Sequence, residues 1–261
     1  MRTKAVRLVV GIFLAAAVLV GAALAAEGPT VIRTSDGRGA DAYVNASKGS
    51  TNFGNAPTLV LKQDTAASHR KAWLRFDLAA VKGKGTLSAA TLKLTVVPNT
   101  TRDVERVFAV YGLNDGQEGE NWVEGDGGED NQPENEITWA NAPGNDLKSS
   151  RGVLASAAKP LGTFTMANPN YEQNNKADAI AFTSDALVEF LNADTNGVVT
   201  LILTQEKPGS NTVITNFAAK EHPKGPAPAL EITLGPAKEA PAPAAPAAAG
   251  PAPAAAGPEA Q

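Results

Sequence analysis

In the stretch Trp73-Leu74-Arg75-Phe76-Asp77-Leu78, leucine and phenylalanine alternate with tryptophan, arginine and aspartate. This pattern decides the fold class predicted for the chain. Successive side chains of a β-strand point to opposite faces of the sheet, so this alternation predicts a strand. The core face is expected to carry Leu74, Phe76 and Leu78. The opposite face is expected to carry Trp73, Arg75 and Asp77. The stretch therefore predicts a sheet with one apolar face and one mixed face.

Similar short segments occur on both sides of this stretch, separated by turn residues such as Gly, Pro, Asn and Ser. Period-two apolar patterning bounded by such turns is the signature of strands. Strands are expected at 41–44, 58–62, 71–78, 92–96, 104–113, 197–205, 212–218 and 228–234. Many strands with almost no intervening helix predict an all-β fold, a jelly-roll-type β-sandwich.

One short helix is expected after residue 184. Ser184 is a suitable N-cap and Asp185 suits the positive end of a helix. Apolar side chains at Leu187, Phe190 and Leu191 recur at helical spacing, and Asn196-Gly197 is a stop signal. We expect this helix to cover one end of the sandwich.

The N-terminus has the three parts of a secretory signal peptide, expected to span residues 1–25. Basic residues precede an apolar run from 8 to 24, and Ala23-Leu24-Ala25-Ala26 offers a cleavage site for signal peptidase. A retained membrane anchor is the alternative, because the run is close to the length that spans a bilayer. Cleavage predicts a secreted, periplasmic or cell-surface protein with no membrane span.

The C-terminal 27 residues, 235–261, contain 20 Ala or Pro. Frequent prolines interrupt helix, and no large apolar side chain is present to pack, so an extended, disordered tail is expected. The tail is either a spacer or docking strip in the cell envelope, with an envelope protein as a possible partner, or an inert extension. One domain is expected between these ends, at residues 27–234.

Charge and composition argue against a nucleic acid partner, and they exclude disulfide bonds and lipid attachment through cysteine. Removal of the three basic residues of the signal peptide changes the net charge from −4 to −7. An acidic protein is poorly suited to phosphate contacts, so no nucleic acid partner is expected. The chain has no cysteine, so no disulfide supports the fold and no lipid can be attached through a thiol.

The ordered motifs of the body resemble those of a known family. They are Asp41-Ala42-Tyr43-Val44, Asn52-Phe53-Gly54, residues 73–78, Leu87-Ser88-Ala89-Ala90-Thr91-Leu92, Trp122-Val123-Glu124 and Ile137-Thr138-Trp139-Ala140-Asn141-Ala142-Pro143. In this order they resemble the DNRLRE domain, which overlaps carbohydrate-binding module family 96. The resemblance implies a secreted or surface jelly roll that binds polysaccharide, such as alginate. The segment 114–136 is unusually long and acidic for the family, and no companion enzyme domain is expected beside the module.

An enzyme is not expected. The chain has two histidines, His69 and His222, both expected in exposed loops, and it contains none of the common nucleophile, zinc-protease or nucleotide motifs. A pair of carboxylates could still serve a glycosidase, and a polysaccharide lyase could use His or Tyr as a base. These enzyme activities are the third hypothesis, after a polysaccharide-binding module and a structural or adhesive surface protein that binds proteins or itself.

The segment 114–136 carries nine carboxylates in 23 residues and no Lys or Arg. Oxygen ligands on a flexible, glycine-rich backbone are what Ca²⁺ requires. A structural calcium site is therefore predicted, with ligands Asp126, Glu129, Asp130 and Glu134. The alternative is a solvated acidic loop without a metal.

For sugar binding, an aromatic ring beside a cation is expected, because sugar C–H groups pack on rings. Trp73 and Arg75 are predicted to share an open face and to contact an acidic sugar. A basic patch extends this candidate site, comprising Lys62, Arg70 and Lys71. Burial of Trp73 under a loop or the helix is the alternative, and it favours the structural hypothesis.

Overall fold

The computed structural model describes residues 28–64, 68–97, 104–116, 119–127, 135–149, 152–166, 179–210 and 212–235. The expected signal peptide lies outside these residues, as does the expected tail apart from Gly235. The described residues form antiparallel β-sheets with one α-helix, which confirms the predicted all-β sandwich. Within this part of the chain, no helix reaches the length and hydrophobicity needed to cross a bilayer.

Eleven strands and one α-helix follow one another in the described residues. They are β1 (Thr30–Arg33), β2 (Ala40–Asn45), β3 (Thr58–Leu61), β4 (Arg70–Asp77), β5 (Leu87–Thr95), β6 (Arg106–Leu113), β7 (Ala158–Met166), β8 (Ala179–Phe182), α1 (Asp185–Asn192), β9 (Val198–Lys207), β10 (Thr215–Ala218) and β11 (Ala229–Leu234). The strands form a five-stranded sheet in the order β2-β4-β9-β6-β7, a four-stranded sheet in the order β1-β11-β5-β8, and a two-stranded sheet of β10 and β3.

Strands β1, β7 and β8 have no counterpart in the predicted set, and all three lie at sheet edges. An edge strand bonds to one neighbour only, so it tolerates residues that interrupt a regular pattern. Strand β7 shows this, because it contains Pro160 and Gly162 and its register with β6 shifts between Val110 and Tyr111. These interruptions explain why alternation of apolar residues did not reveal β7.

The predicted helix is confirmed, although it ends at Asn192, four residues before the expected stop signal. The side chain of Ser184 caps its first turn by accepting a hydrogen bond from the Leu187 N–H at 3.0 Å. Phe190 packs against β6 at Gly112, where an added Cβ would lie 2.6 Å from the ring. Because no larger residue fits there, Gly112 allows the helix to lie close to the five-stranded sheet.

The inner face of the five-stranded sheet packs against the four-stranded sheet. Leu74 and Phe76 of β4 are fully buried there with Leu92 and Leu94 of β5. This confirms the apolar face predicted from the alternation of residues 73–78. Burial of such side chains contributes about 1.5–3 kcal/mol each, and this core supplies the stability of a chain without disulfides.

The outer face of the same sheet is also covered. Residues 114–157, which connect β6 to β7 and are called the covering segment, bring Trp122 and Trp139 against it. These two side chains are 5% and 8% exposed, and they pack with Trp73 and Ile202 in a second buried cluster. Trp122 and Trp139 therefore anchor this long connection to the sheet.

Candidate functional site

Trp73 lies in the interior of the protein. Its side chain is 0% exposed, and its indole Nε1 donates a hydrogen bond to the Pro143 carbonyl oxygen at 3.0 Å. The expectation that Trp73 offers an open ring to a sugar is wrong, because the covering segment lies over it. Strand alternation correctly placed Trp73 opposite Leu74, but it could not show that a segment 41 or more residues later in the chain covers that face.

Arg75 is half-buried beside Trp73 and is also used internally. Its Nε donates to the Arg38 carbonyl oxygen at 2.7 Å, and its Nη1 donates to the carbonyl oxygen of Trp122. The guanidinium lies over the Trp122 ring, 4.9 Å from its centroid. Trp73 and Arg75 therefore do not form an open face, and this pair supports the covering segment instead of offering a sugar-binding surface.

Two of the three residues of the predicted basic patch are buried. The Nζ of Lys71 donates to Asn145 Oδ1 at 2.8 Å and to the Gly152 carbonyl oxygen at 2.6 Å. Burial lowers the pKa of Lys71 to about 8. Lys62 lies 2.7 Å from Asp64 Oδ2 in a shielded ion pair. Both ammonium groups thus have partners within the protein, and a continuous surface patch does not form.

Arg70 differs from these residues, because its side chain is half-buried and its Nε has no hydrogen-bond partner among the described residues. It lies close enough to Tyr43 to influence that hydroxyl: burial raises the pKa of Tyr43, and the charge of Arg70 opposes the increase. The Tyr43 ring stacks on Phe53 with centroids 4.4 Å apart. Arg70, Tyr43 and Phe53 are called the Arg70 surface below.

The Arg70 surface is built by three parts of the chain. Tyr43 lies in the edge strand β2, opposite Ala72 of the neighbouring strand β4, and Arg70 begins β4. Phe53 belongs to the loop between β2 and β3, which is held in place by the fully buried Asn52. The amide of Asn52 donates to the carbonyl oxygens of Glu124 and Ile137 at 2.7 and 2.8 Å. The covering segment thereby fixes the loop that carries Phe53.

Sequence reasoning identified Arg70 but missed its aromatic neighbours. Tyr43 and Phe53 were both within motifs of the body, yet nine residues separate them from each other and 16 separate Phe53 from Arg70 by number. No periodicity links a strand residue to a residue of an irregular loop. Only the folded chain brings these three side chains together.

Three carboxylates, Asp41, Glu124 and Glu221, converge at another point of the covering segment, with ligand atoms within 4.8 Å of one another. Lys220 already supplies a cation there, since its Nζ lies 2.7 Å from Glu124 and 3.0 Å from Glu221. Asp41 is buried and accepts a hydrogen bond from the Lys220 N–H at 3.0 Å. Burial, opposed by a hydrogen bond from Thr34, raises the pKa of Asp41 to about 7. This group therefore ties the covering segment to the loop after β10.

Of the predicted calcium ligands, Asp126 lies at an exposed position, whereas Glu129, Asp130 and Glu134 lie outside the described residues. A different carboxylate of the same segment, Glu136, is 5% exposed. Burial and the nearby charge of Asp126 raise the pKa of Glu136. The acidic segment therefore contains a buried carboxylate that the predicted ligand set did not include.

The two histidines are engaged within the protein. His69 is buried, so its expected exposure was wrong, and its Nδ1 accepts a hydrogen bond from the Asp64 N–H at 2.8 Å. His222 is half-buried, and its Nδ1 accepts from the Gly225 N–H at 2.6 Å. In both histidines, Nδ1 therefore stabilises a turn by accepting a hydrogen bond from a backbone N–H.

The protein is a sandwich of antiparallel sheets. At one sheet edge it carries an aromatic pair, Tyr43 and Phe53, beside the cation Arg70. These are features of a binding domain. The model of carbohydrate-binding module family 96 matches residues 37–234. The chain belongs to this family, which confirms the resemblance seen in the sequence motifs and makes the sandwich a carbohydrate-binding module. No curated protein matches the chain.

Proposed function

We propose that the protein is exported and binds an anionic polysaccharide outside the cytoplasm through the Arg70 surface. The family supports carbohydrate as the class of ligand. The pattern of residues 1–25 supports export. Anionic character of the ligand is inferred from the side chain of Arg70.

The observation that carries this proposal is the lack of a hydrogen-bond partner for Nε of Arg70 among the described residues. This nitrogen is also shielded from solvent. A shielded donor without a partner is costly, and a guanidinium binds a carboxylate through two parallel hydrogen bonds. A uronic acid carboxylate would supply these acceptors. The other cations close to β4, Lys62, Lys71 and Arg75, already have acceptors within the protein.

The aromatic pair provides the second part of the contact. Tyr43 and Phe53 are half-buried and stacked at an interplanar angle of 23°, so they hold each other in a defined orientation. A sugar ring packs its C–H groups on an aromatic surface while its charged group binds a neighbouring cation. Arg70 beside these rings matches that combination, which the predicted pair Trp73 and Arg75 does not offer.

The test is binding of the full chain to alginate and polygalacturonate, with cellulose and starch as neutral polysaccharides, measured by affinity electrophoresis. We expect retention on the anionic polymers and a loss of at least about tenfold in affinity for Arg70→Gln, because a charged bidentate contact is removed. Phe53→Ala is expected to weaken retention as well. Arg33→Gln is the matched control, since Arg33 is exposed on β1, and it should bind as the original protein does.

Two results would contradict the proposal. Retention on the anionic polymers that is unchanged in Arg70→Gln, with an unchanged melting temperature, would place the binding surface elsewhere. Absence of retention on every polysaccharide would favour the second candidate, a structural or adhesive surface protein. One observation favours that candidate: Leu147 and Leu154 of the covering segment are 57% and 42% exposed, which suits contact with another protein.

A further inference from the structure

Lys71 of β4 is a buried amine whose hydrogen-bond acceptors are all neutral. The residue is 1% exposed, and its Nζ contacts Asn145 Oδ1 and the Gly152 carbonyl oxygen at 2.8 and 2.6 Å. The ring of Trp139 lies beside it, with its centroid 4.8 Å from Nζ. No carboxylate of the described residues forms an ion pair with Lys71. A buried ammonium without a counter-ion is disfavoured, so the neutral amine, which is a nucleophile, becomes accessible.

Asn145 of the covering segment is held opposite this amine. It is 6% exposed, and its Nδ2 donates to the Trp139 carbonyl oxygen at 2.7 Å while Oδ1 accepts from Lys71. Its backbone is fixed as well: the Asn145 N–H donates to the Ala142 carbonyl oxygen at 3.1 Å, and Asn145 pairs with Val153 in an isolated bridge. The carboxamide of Asn145 is therefore held facing Nζ of Lys71.

The contact between the two side chains is close to a reactive one. Nζ lies 2.8 Å from Oδ1, and a C=O bond is about 1.2 Å long, so Nζ lies within about 4 Å of the carboxamide carbon Cγ. Reacting atoms that are held about 3–3.5 Å apart gain a large advantage over free reactants. A small rotation of the Lys71 side chain supplies the remaining approach without movement of the main chain.

The proton balance at Lys71 suits the same reaction. Burial lowers the pKa of Lys71 to about 8, and the charges of Asp146 and Glu206 oppose the decrease. Asp146 follows Asn145 in the chain. Its Oδ2 lies 3.0 Å from the position that a Cβ of Gly152 would take, beside the residue that accepts a hydrogen bond from Nζ. A carboxylate in this position can receive the proton that the ammonium group loses.

We propose that Lys71 and Asn145 form an isopeptide bond in the folded protein, which joins β4 covalently to the covering segment. Asp146 accepts a proton from the ammonium group, and the neutral amine forms the bond from Nζ to Cγ of Asn145. The bond from Cγ to Nδ2 breaks, one proton of the amine passes to Nδ2, and ammonia leaves. One amide replaces another, so the step needs no oxidant, reductant or cofactor. The link gives a chain without cysteine the constraint that a disulfide gives other exported proteins.

The test is peptide mapping of the full chain by mass spectrometry, after incubation of the folded protein at pH 9, where most of the Lys71 amine is neutral. Trypsin cleaves after Lys and Arg, so an unlinked chain yields peptides 72–75 and 107–148. A linked chain should instead yield peptide 71–75 joined to peptide 107–148. The joined peptide should be lighter than the sum of its parts by about 17 Da, the mass of ammonia.

Four variants make the result specific. Lys71→Met and Asn145→Ala should each abolish the joined peptide. Lys93→Met, which removes an exposed lysine of the four-stranded sheet, should keep it. Asp146→Asn should lower the linked fraction after the same incubation by about tenfold or more, because a proton acceptor is removed.

A second readout is the melting temperature. The linked chain should melt about 5–15 °C above an unlinked chain of the same sequence, because the link closes the loop of residues 71–145 in the unfolded state. The amide formed does not titrate, so any pH dependence of unfolding at Lys71 belongs to the unlinked chain. Urea unfolding at several pH values is therefore compared for chains whose mass shows no link.

Three outcomes would overturn the proposal in whole or in part. Full recovery of peptides 72–75 and 107–148, with no joined peptide, would show that Lys71 and Asn145 are only hydrogen-bonded. A joined peptide that persists in Asn145→Ala would show that Lys71 is linked to a different residue. An unchanged linked fraction in Asp146→Asn would exclude Asp146 as the proton acceptor. Polysaccharide retention, measured in the same samples, reports separately on the binding function.

Discussion

The two faces of the five-stranded sheet are both buried, but by different chemistry. The inner face meets the four-stranded sheet through aliphatic and phenyl side chains such as Leu74 and Phe76. The outer face meets the covering segment through Trp73, while Lys71 and Arg75 donate hydrogen bonds to that segment or to the loop beside it. A strand face that carries charged residues can therefore be interior when a long connection supplies acceptors for them.

The largest effect that would test this comparison is expected from Trp73→Ala. If the outer face is a second core, this change should lower the free energy of unfolding by about 3–5 kcal/mol, as Phe76→Ala should on the inner face. Unfolding in urea, followed by fluorescence, measures both. Trp73→Phe, which keeps a ring, should cost less. A loss below about 1 kcal/mol for Trp73→Ala would mean that the covering segment contributes little to stability.

A smaller effect is expected from pH, through Lys71. Burial lowers the pKa of Lys71 to about 8, whereas an unfolded lysine has a pKa near 10.4. Between these values the unfolded state binds more protons, so this residue makes the folded state more stable as pH rises. The gain should be about 2 kcal/mol between pH 8 and pH 10, relative to Lys71→Met, which has no such proton.

Urea unfolding of both proteins at several pH values measures this difference. Lys93→Met is the control, since Lys93 is 39% exposed and removes the same charge from the other sheet. Because it keeps Lys71, its stability should change with pH in parallel with that of the original protein across this range. A constant difference between the original protein and Lys71→Met would show that the ammonium group is not shielded.

The smallest effect is expected on the outside of the covering segment. Leu147 is 57% exposed, so Leu147→Ser should change the free energy of unfolding by less than about 0.5 kcal/mol. The midpoint of urea unfolding checks this value. A cost above about 1 kcal/mol would indicate that another part of the chain covers Leu147. Together with Trp73→Ala, the result separates the buried side of the segment from its exposed side.

The central strands were predictable because their apolar residues recur at every second position, and these are the positions that are buried in the inner core. Strands β4 and β9 are paired on both sides, and every second residue of each meets the inner core. The edge strands β1, β7 and β8 escaped prediction, since one-sided pairing tolerates Pro160, Gly162 and short lengths. The helix was predictable from its cap and its apolar spacing, both of which are local features.

The candidate sites were less predictable than the fold. The sequence pointed to Arg70 and to an acidic calcium loop with Asp126, but it could not show that Lys62, Lys71 and Arg75 have internal partners. Those partners are mostly main-chain oxygens and amides of distant segments, such as Gly152 and Asn145 for Lys71. Such acceptors leave no pattern in a sequence, because every residue type has a carbonyl oxygen.

The sequence by itself determined the all-β class, the family and the side chains that share each strand face, because these depend on local periodicity and ordered motifs. The tertiary structure alone decided which faces are open. The described part of the covering segment lies across the sheet, buries Trp73 and leaves Arg70, Tyr43 and Phe53 half-buried. Burial is a property of what lies above a surface, and that depends on contacts between residues far apart in sequence.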